Sequence, residues 1–135
     1  MKYLLDTNTC IRFINGRAPQ IREYMRTIDD ADIVVSAITK AEMFAGAARS
    51  QTPHRSRAKQ DIFLVRFASL PFDDAAADEF SRIRAHLHNI GTPIGAYDMQ
   101  IAAIAVVHQL IVVTHNTKEF SRIPWLTLED WESNW

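Results

Sequence analysis

The chain has 135 residues and a mass of 15.4 kDa, with 47% apolar and 23% charged residues. That is one domain's worth of globular chain, and it excludes disorder, collagen and coiled coil. Fifteen Lys and Arg against sixteen Asp and Glu leave a net charge of −1, so the total does not indicate a strongly basic nucleic-acid binder.

The distribution of charge is more informative. Between residues 49 and 66, Arg49, Arg55, Arg57, Lys59 and Arg66 face Asp61 alone; between 12 and 26, Arg12, Arg17, Arg22 and Arg26 face Glu23 alone. Acids collect at Asp29, Asp30 and Asp32, from Asp73 to Glu79, and from Glu129 to Glu132. The plain reading is a set of solvated helix faces. The single cysteine, Cys10, excludes an internal disulfide and a Cys-rich zinc site, and reads as a plain buried thiol. Asp6 follows the first apolar stretch closely, so no signal peptide is expected. The long uncharged run that begins at Met99 is broken by Gln100, His108, Gln109, His115 and Asn116, so no membrane span is expected. The expected location is the cytoplasm.

In chain order, Tyr3-Leu4-Leu5 is a short apolar run ending at Asp6, Ile33-Val34-Val35 a second ending at Ser36, and Leu110-Ile111-Val112-Val113 a third ending at Thr114. Continuous short runs of this kind suit parallel strands buried on both faces. A fourth strand is expected near Leu126-Thr127-Leu128. Helices are expected over 8–15, 19–28, 38–50, 54–68, 74–90 and 96–109, punctuated by Pro53, Pro71 and the segment Gly91-Thr92-Pro93-Ile94-Gly95. Alternation of this kind makes an α/β sheet with helices on both faces. No linker or repeat divides the chain, so residues 1–135 are read as a single domain.

Ligands of open α/β sheets bind beyond the carboxyl ends of the strands. Asp6-Thr7-Asn8 leaves the first run there, and Thr114-His115-Asn116 leaves the third. By itself Asp6 reads as a helix N-cap. Glu42 shares a helix face with Thr39 and Gly46, at i, i+3 and i+7. A glycine inside a helix costs roughly 1 kcal/mol against alanine. Its place beside Glu42 either packs the helix on the sheet or leaves the carboxylate uncovered for an ion or a phosphate. Asp98 opens the helix that continues through Met99, Ile101, Ala102 and Ala105, where an acid favours the helix dipole without any function. That helix is apolar nearly all round and therefore buried.

Together the three acids mean more. Carboxylates that converge repel one another and resist ionisation unless a cation neutralises them. Oxygen ligands select Mg²⁺ or Mn²⁺ over zinc or copper, and such a site serves phosphoryl chemistry. No Gly-x-Ser-x-Gly elbow, His-Glu-x-x-His, phosphate-binding loop or Gly-x-Gly-x-x-Gly competes with it. His86 and His88, two apart on a helix, point to different faces and are no ligand pair. A haloacid-dehalogenase-like phosphohydrolase wants a second aspartate where Asn8 stands.

Four segments in this order resemble the PIN-domain endoribonucleases, specifically the VapC toxins of bacterial type II toxin–antitoxin systems. They are Leu4-Leu5-Asp6-Thr7-Asn8, Thr39-x-x-Glu42 with Gly46, Pro93-Ile94-Gly95-Ala96-Tyr97-Asp98 with Ile101-Ala102-Ala103, and Val113-Thr114-His115-Asn116 with Glu119-Phe120. The resemblance implies a single PIN domain, a three-layer α/β/α sandwich with a mostly parallel central sheet. It implies catalytic Asp6, Glu42 and Asp98, with Asp6 and Asp98 holding Mg²⁺ (Mn²⁺ substituting) and Glu42 positioning water or a second ion. Many PIN domains carry a fourth acid where Asn116 stands; Asn116 through its carbonyl oxygen, or Glu119, would take that place, against a plain surface role for Glu119.

The implied activity is hydrolysis of RNA, commonly transfer RNA cut in the anticodon loop. Initiator transfer RNA is suggested by the Pro93-Ile94-Gly95 segment, and the arginines of 12–26 and 49–66 would hold the phosphates. The implied partners are a cognate VapB-type antitoxin and a second copy of the chain, as a homodimer. Phe13, Met43, Phe44, Phe63 and Phe67 could line a partner groove or a dimer seam, against the plainer reading as core. Trp125, Trp131 and Trp135 read as tail packing before partner contacts. The alternative function is a catalytically silent PIN-fold module that binds RNA or protein.

Overall fold

Three consecutive apolar residues form β1 (Tyr3–Leu5), and the alternation of their side chains decides the layering. Leu4 packs with Val34 and Val112 on one face of the sheet, while Tyr3, Leu5, Ile33, Val35 and Val113 pack on the other. Both faces are covered by helices, so these strands carry no charged side chain. β2 (Ile33–Ser36) and β4 (Ile111–Val113) flank β1, and β3 (Ala68–Leu70) and β5 (Leu128–Glu129) form the edges. All four pairings are parallel, in the order β3-β2-β1-β4-β5, with Leu4 opposite Val34 on one side and Val112 on the other. The computed structural model describes residues 1–132.

On the Leu5 face lie α1 (Thr7–Ile14), α2 (Pro19–Arg26), α3 (Ala37–Arg49) and α4 (Pro53–Leu64), which contribute Cys10, Ile21, Met25, Met43, Phe63 and Leu64 to the core. On the Leu4 face, α5 (Asp74–Ile90) and α6 (Ala96–Val107) contribute Ile83, Leu87, Met99 and Ile101 through Ala105. The short α7 (Thr117–Phe120) adds Phe120. This is the expected three-layer α/β/α sandwich. None of the described helices is long and apolar enough to cross a membrane.

Several elements depart from the sequence reading, the unanticipated α7 over Thr117–Phe120 among them. β3 was not anticipated: α4 stops at Leu64 rather than near residue 68, and the chain turns into an edge strand. Ala68 and Ser69 are exposed and not β-branched, so nothing in their chemistry signals a strand. The last strand falls at Leu128–Glu129, slightly beyond its expected place.

The candidate seam residues mostly belong to the core. Met43, Phe63 and Phe67 are buried, whereas Phe13 and Phe44 are partly buried against them. Trp131 is buried, stacked on Tyr24 at 5.4 Å and edge-on to Tyr3 at 5.2 Å, and Trp125 donates its indole N–H to Glu79 at 2.8 Å. Trp135 lies outside the described residues. His86 packs against the Trp125 ring while His88 is exposed, so the two do part. Cys10 is a buried free thiol that burial pushes well above the ordinary thiol range.

The sheet order places the switch point at β1. From there the chain builds outward through β2 and β3, then returns to add β4 and β5 on the opposite side. Crevices at such points open beyond the carboxyl ends of the strands. Asp6 stands in this one, its N–H bonded to the Val113 carbonyl at 3.1 Å.

Candidate active site

Three strand ends supply the site, each continuing into a helix or turn closed by its own side chain. Asp6 ends β1 and caps α1, its Oδ1 accepting the Thr9 N–H at 2.9 Å. Ser36 ends β2 and caps α3 by accepting the Thr39 N–H at 3.0 Å, which fixes the helix that carries Glu42. Thr114 ends β4, and its hydroxyl accepts the Asn116 N–H at 2.9 Å. Asp98 comes from the opposite layer, in the first turn of α6, whose N-cap Gly95 offers no side-chain bond.

Asp6 is buried, and burial pushes its carboxyl above the ordinary value; hydrogen bonding from Thr114 and Thr9 pulls the other way, and the charge of Glu132 adds to the rise. The half-buried Asp98 carboxyl is pushed up to about 6, first by desolvation and then by the charges of Asp6, Glu42 and Glu119. These four acids therefore share one field, and the expected trio is brought together with Glu119 added. Among the described residues, no three Asp, Glu, His or Cys side chains are already gathered closely enough to hold a metal ion as they stand.

Polar neighbours orient the acids, and among them sequence reasoning did not single out Thr7 as a partner of Glu42. Thr7, buried at the start of α1, donates its hydroxyl to Glu42 Oε1 at 2.6 Å and lies 3.1 Å from the buried Thr39 hydroxyl. The clue was present, since Thr39 shares the helix face of Glu42, but Thr7 reaches it only through the packing of α1 on α3. Asn116 donates its side-chain N–H to Glu119 Oε2 at 2.9 Å. Glu119 is therefore a half-buried acid held beside Asn116, not a free surface residue.

Two cavities meet at Ile11. One of about 370 Å³ is lined by Asp6, Asn8, Ile11, Arg12, His115 and Asn116. The other, of about 300 Å³, has Glu42, Gly46, Lys59 and Gln60 among its walls. A Cβ on Gly46 would meet nothing within 4 Å, so this glycine is not there for tight helix–sheet packing. It leaves space beside Glu42. The donor set, all oxygen and mutually repelling, fits a hard divalent cation rather than zinc or copper.

A parallel α/β/α sheet with acids from both layers at its switch point is the architecture of one nuclease-like fold class. The PIN domain matches residues 3–126, and the chain belongs to that family. Within it, the chain belongs to the VapC branch. It is 41% identical over 131 residues to the tRNA(fMet)-specific endonuclease VapC of Salmonella typhimurium, covering 97% of this chain and 98% of that one. Ribonuclease VapC2 of Rickettsia felis is 34% identical over 133 residues, 98% of this chain and 99% of that one. Among solved structures, DNA-bound VapBC from Salmonella typhimurium superposes with a TM-score of 0.92 at 41% identity, over 97% of this chain and 98% of that one.

Proposed function

We propose that this chain, as a single PIN domain, is a metal-dependent endoribonuclease toxin that hydrolyses transfer RNA, with the initiator species as its target. The observation that carries the reading is the field at Asp98, where Asp6, Glu42 and Glu119 together with burial hold the carboxyl at about 6. Acids so placed oppose one another until a cation is shared between them. The naming of a 41% identical relative as a tRNA(fMet)-specific endonuclease supports the substrate.

In this reading Asp6 and Asp98 hold Mg²⁺, for which Mn²⁺ substitutes, with Glu42 and either Glu119 or the Asn116 carbonyl oxygen completing the oxygen set. Bound there, the cation supplies charge to the phosphoryl transition state and lowers the pKa of a water. Thr7 fixes the Glu42 carboxylate at 2.6 Å, so Glu42 is oriented to take a proton from the attacking water. Water adds to phosphorus and the bond to the 3′ oxygen breaks. The phosphate stays on the 5′ side, and the 3′ oxygen takes up the proton given up by the attacking water and leaves as a hydroxyl.

The same reading gives the chain two protein partners, a VapB-type antitoxin and a second copy of itself. The solved VapBC structures support the first. Ile62 on α4, 73% exposed, offers apolar surface in the pocket it shares with Phe13, Ile14, Arg22 and Lys59.

Purified, antitoxin-free protein incubated with bulk transfer RNA tests the proposal. Mg²⁺, Mn²⁺ and EDTA are compared for wild type and Asp98→Asn. Discrete fragments with 5′-phosphate ends, abolished by EDTA and by the substitution, are the expected result. Identical fragments from both proteins would place the chemistry elsewhere. RNA retained on the protein but never cut would favour the silent binding module.

A further inference from the structure

The Asp6 cavity contains a cation that the four acids do not explain. Arg12 lines it, and its Nε donates to Glu132 Oε1 at 2.5 Å. The two partners differ sharply in environment: the Arg12 side chain is 41% exposed and that of Glu132 only 6%. Glu132 Oε2 is buried with no hydrogen-bond partner among the described residues. A buried carboxylate held through one oxygen is a poor way to stabilise a fold, since desolvation offsets much of the attraction. It is an effective way to aim a guanidinium.

The aim is built into the tail. Trp131, buried against Tyr3 and Tyr24, fixes the backbone next to Glu132, and the Glu132 N–H is closed onto Asp130 Oδ1 at 2.9 Å. Asp130 in turn meets His115, the other basic side chain of the cavity, with 3.0 Å between His115 Nδ1 and Asp130 Oδ2. Both basic groups lining the Asp6 cavity are thus held by the two acids that flank Trp131. Other arginines are engaged elsewhere. Arg22, Arg26 and Arg66 line a separate pocket on Phe13, Arg66 is paired with Asp30, and Arg57 is paired with Asp61.

Glu132 occupies only Nε, and the guanidinium carries four further N–H donors on its two Nη atoms. That fork suits a phosphate oxygen pair. We propose that Arg12, oriented by the buried Glu132, binds a substrate phosphate on the Asp6 side of the site, and that Glu132 is a positioning residue acting through it. The inference rests on the RNA-hydrolase reading and assigns one phosphate contact within it.

The test measures kcat and KM for cleavage of bulk transfer RNA with Mg²⁺, across a salt series, for wild type, Glu132→Gln and the pair Arg12→Gln/Glu132→Gln. The pair is used because Arg12→Gln alone strands a buried charge and risks the fold; its melting midpoint should match that of wild type. Glu132→Gln keeps the Arg12 charge, so KM should hold while kcat falls a few-fold. The pair should raise KM about tenfold and flatten the slope of log(kcat/KM) against log[salt] by about 0.7, the signature of one lost phosphate contact. A folded pair that cuts transfer RNA with wild-type KM and slope overturns the assignment and leaves the ribonuclease reading intact. Wild-type protein that does not cut transfer RNA at all overturns both.

Discussion

Asp98→Asn should make the metal-free protein more stable and inactive at once. The Asp98 carboxyl ionises at 3.8 in the unfolded chain and at about 6 in the fold. Above that range the native state carries a charge that its surroundings disfavour. That rise corresponds to a few kcal/mol, and exposure of about half the group to screening water brings this to about 1–2 kcal/mol. A gain of about 1 kcal/mol raises the melting midpoint by about 4 °C for a domain of this size. The sign with pH follows from the raised value. A group that binds its proton more tightly when folded makes wild type gain stability as pH falls from 6 towards 3.8, so the advantage of the variant is full above 6 and closes over that window. Thermal unfolding by circular dichroism in EDTA, across that range, measures it. A variant no more stable than wild type above pH 6, or one whose advantage does not narrow on acidification, would refute the electrostatic account.

Three further outcomes follow from the same geometry. Mg²⁺ at a hundred times its Kd should stabilise wild type by about 2.7 kcal/mol and leave Asp98→Asn nearly unchanged; the Mg²⁺ concentration needed for half protection should rise as pH falls through about 6, because Asp98 must release its proton first. Thr7→Val removes the 2.6 Å donor from Glu42 and should lower the rate of transfer-RNA cleavage about tenfold, as loss of an orienting partner does, read from initial rates at saturating Mg²⁺. Gly46→Ala places a methyl in open space and should stabilise α3 by roughly 0.5–1 kcal/mol, whereas Gly46→Leu should fill the space beside Glu42 and slow cleavage without unfolding the chain.

What was legible in the sequence depends on where burial falls. β1, β2 and β4 stand out because both their faces are covered and their residues are apolar up to Ser36, which ends β2 and caps α3. β3 is an edge with Ala68 and Ser69 exposed, so its pairing with Val34 and Val35 leaves no mark on composition, and the chain there reads as more of α4. The acids were legible for a related reason: Asp6 interrupts an apolar run where a strand must end, and Asp98 heads a helix with no other charge along it. Arg12 and Glu132 were not. They lie 120 residues apart, and they meet because Trp131 packs onto Tyr3 and Tyr24. Nothing local announces such a pair. The same holds for Thr7 and Glu42, which meet across α1 and α3.

Asp6 and Asp98 also have ordinary structural uses, and this is why residue-by-residue reasoning leaves the site undecided. Asp6 does cap α1, and Asp98 does sit where a helix dipole welcomes it. Capping and ligation do not compete, however, because a carboxylate has two oxygens and the cap takes only Oδ1. The electrostatics separate the two uses. A carboxyl that accepts hydrogen bonds at a helix N-terminus in water is held below its ordinary value. Asp6 accepts them and is still raised, chiefly by burial, and Asp98 is raised by burial together with the charges of three other acids. Folding alone gives no reason to bury these charges beside one another when a serine would cap α1 and an alanine would start α6 at lower electrostatic cost. In the proposed function a bound cation would relieve their mutual opposition, so the instability of the cluster argues for that chemistry.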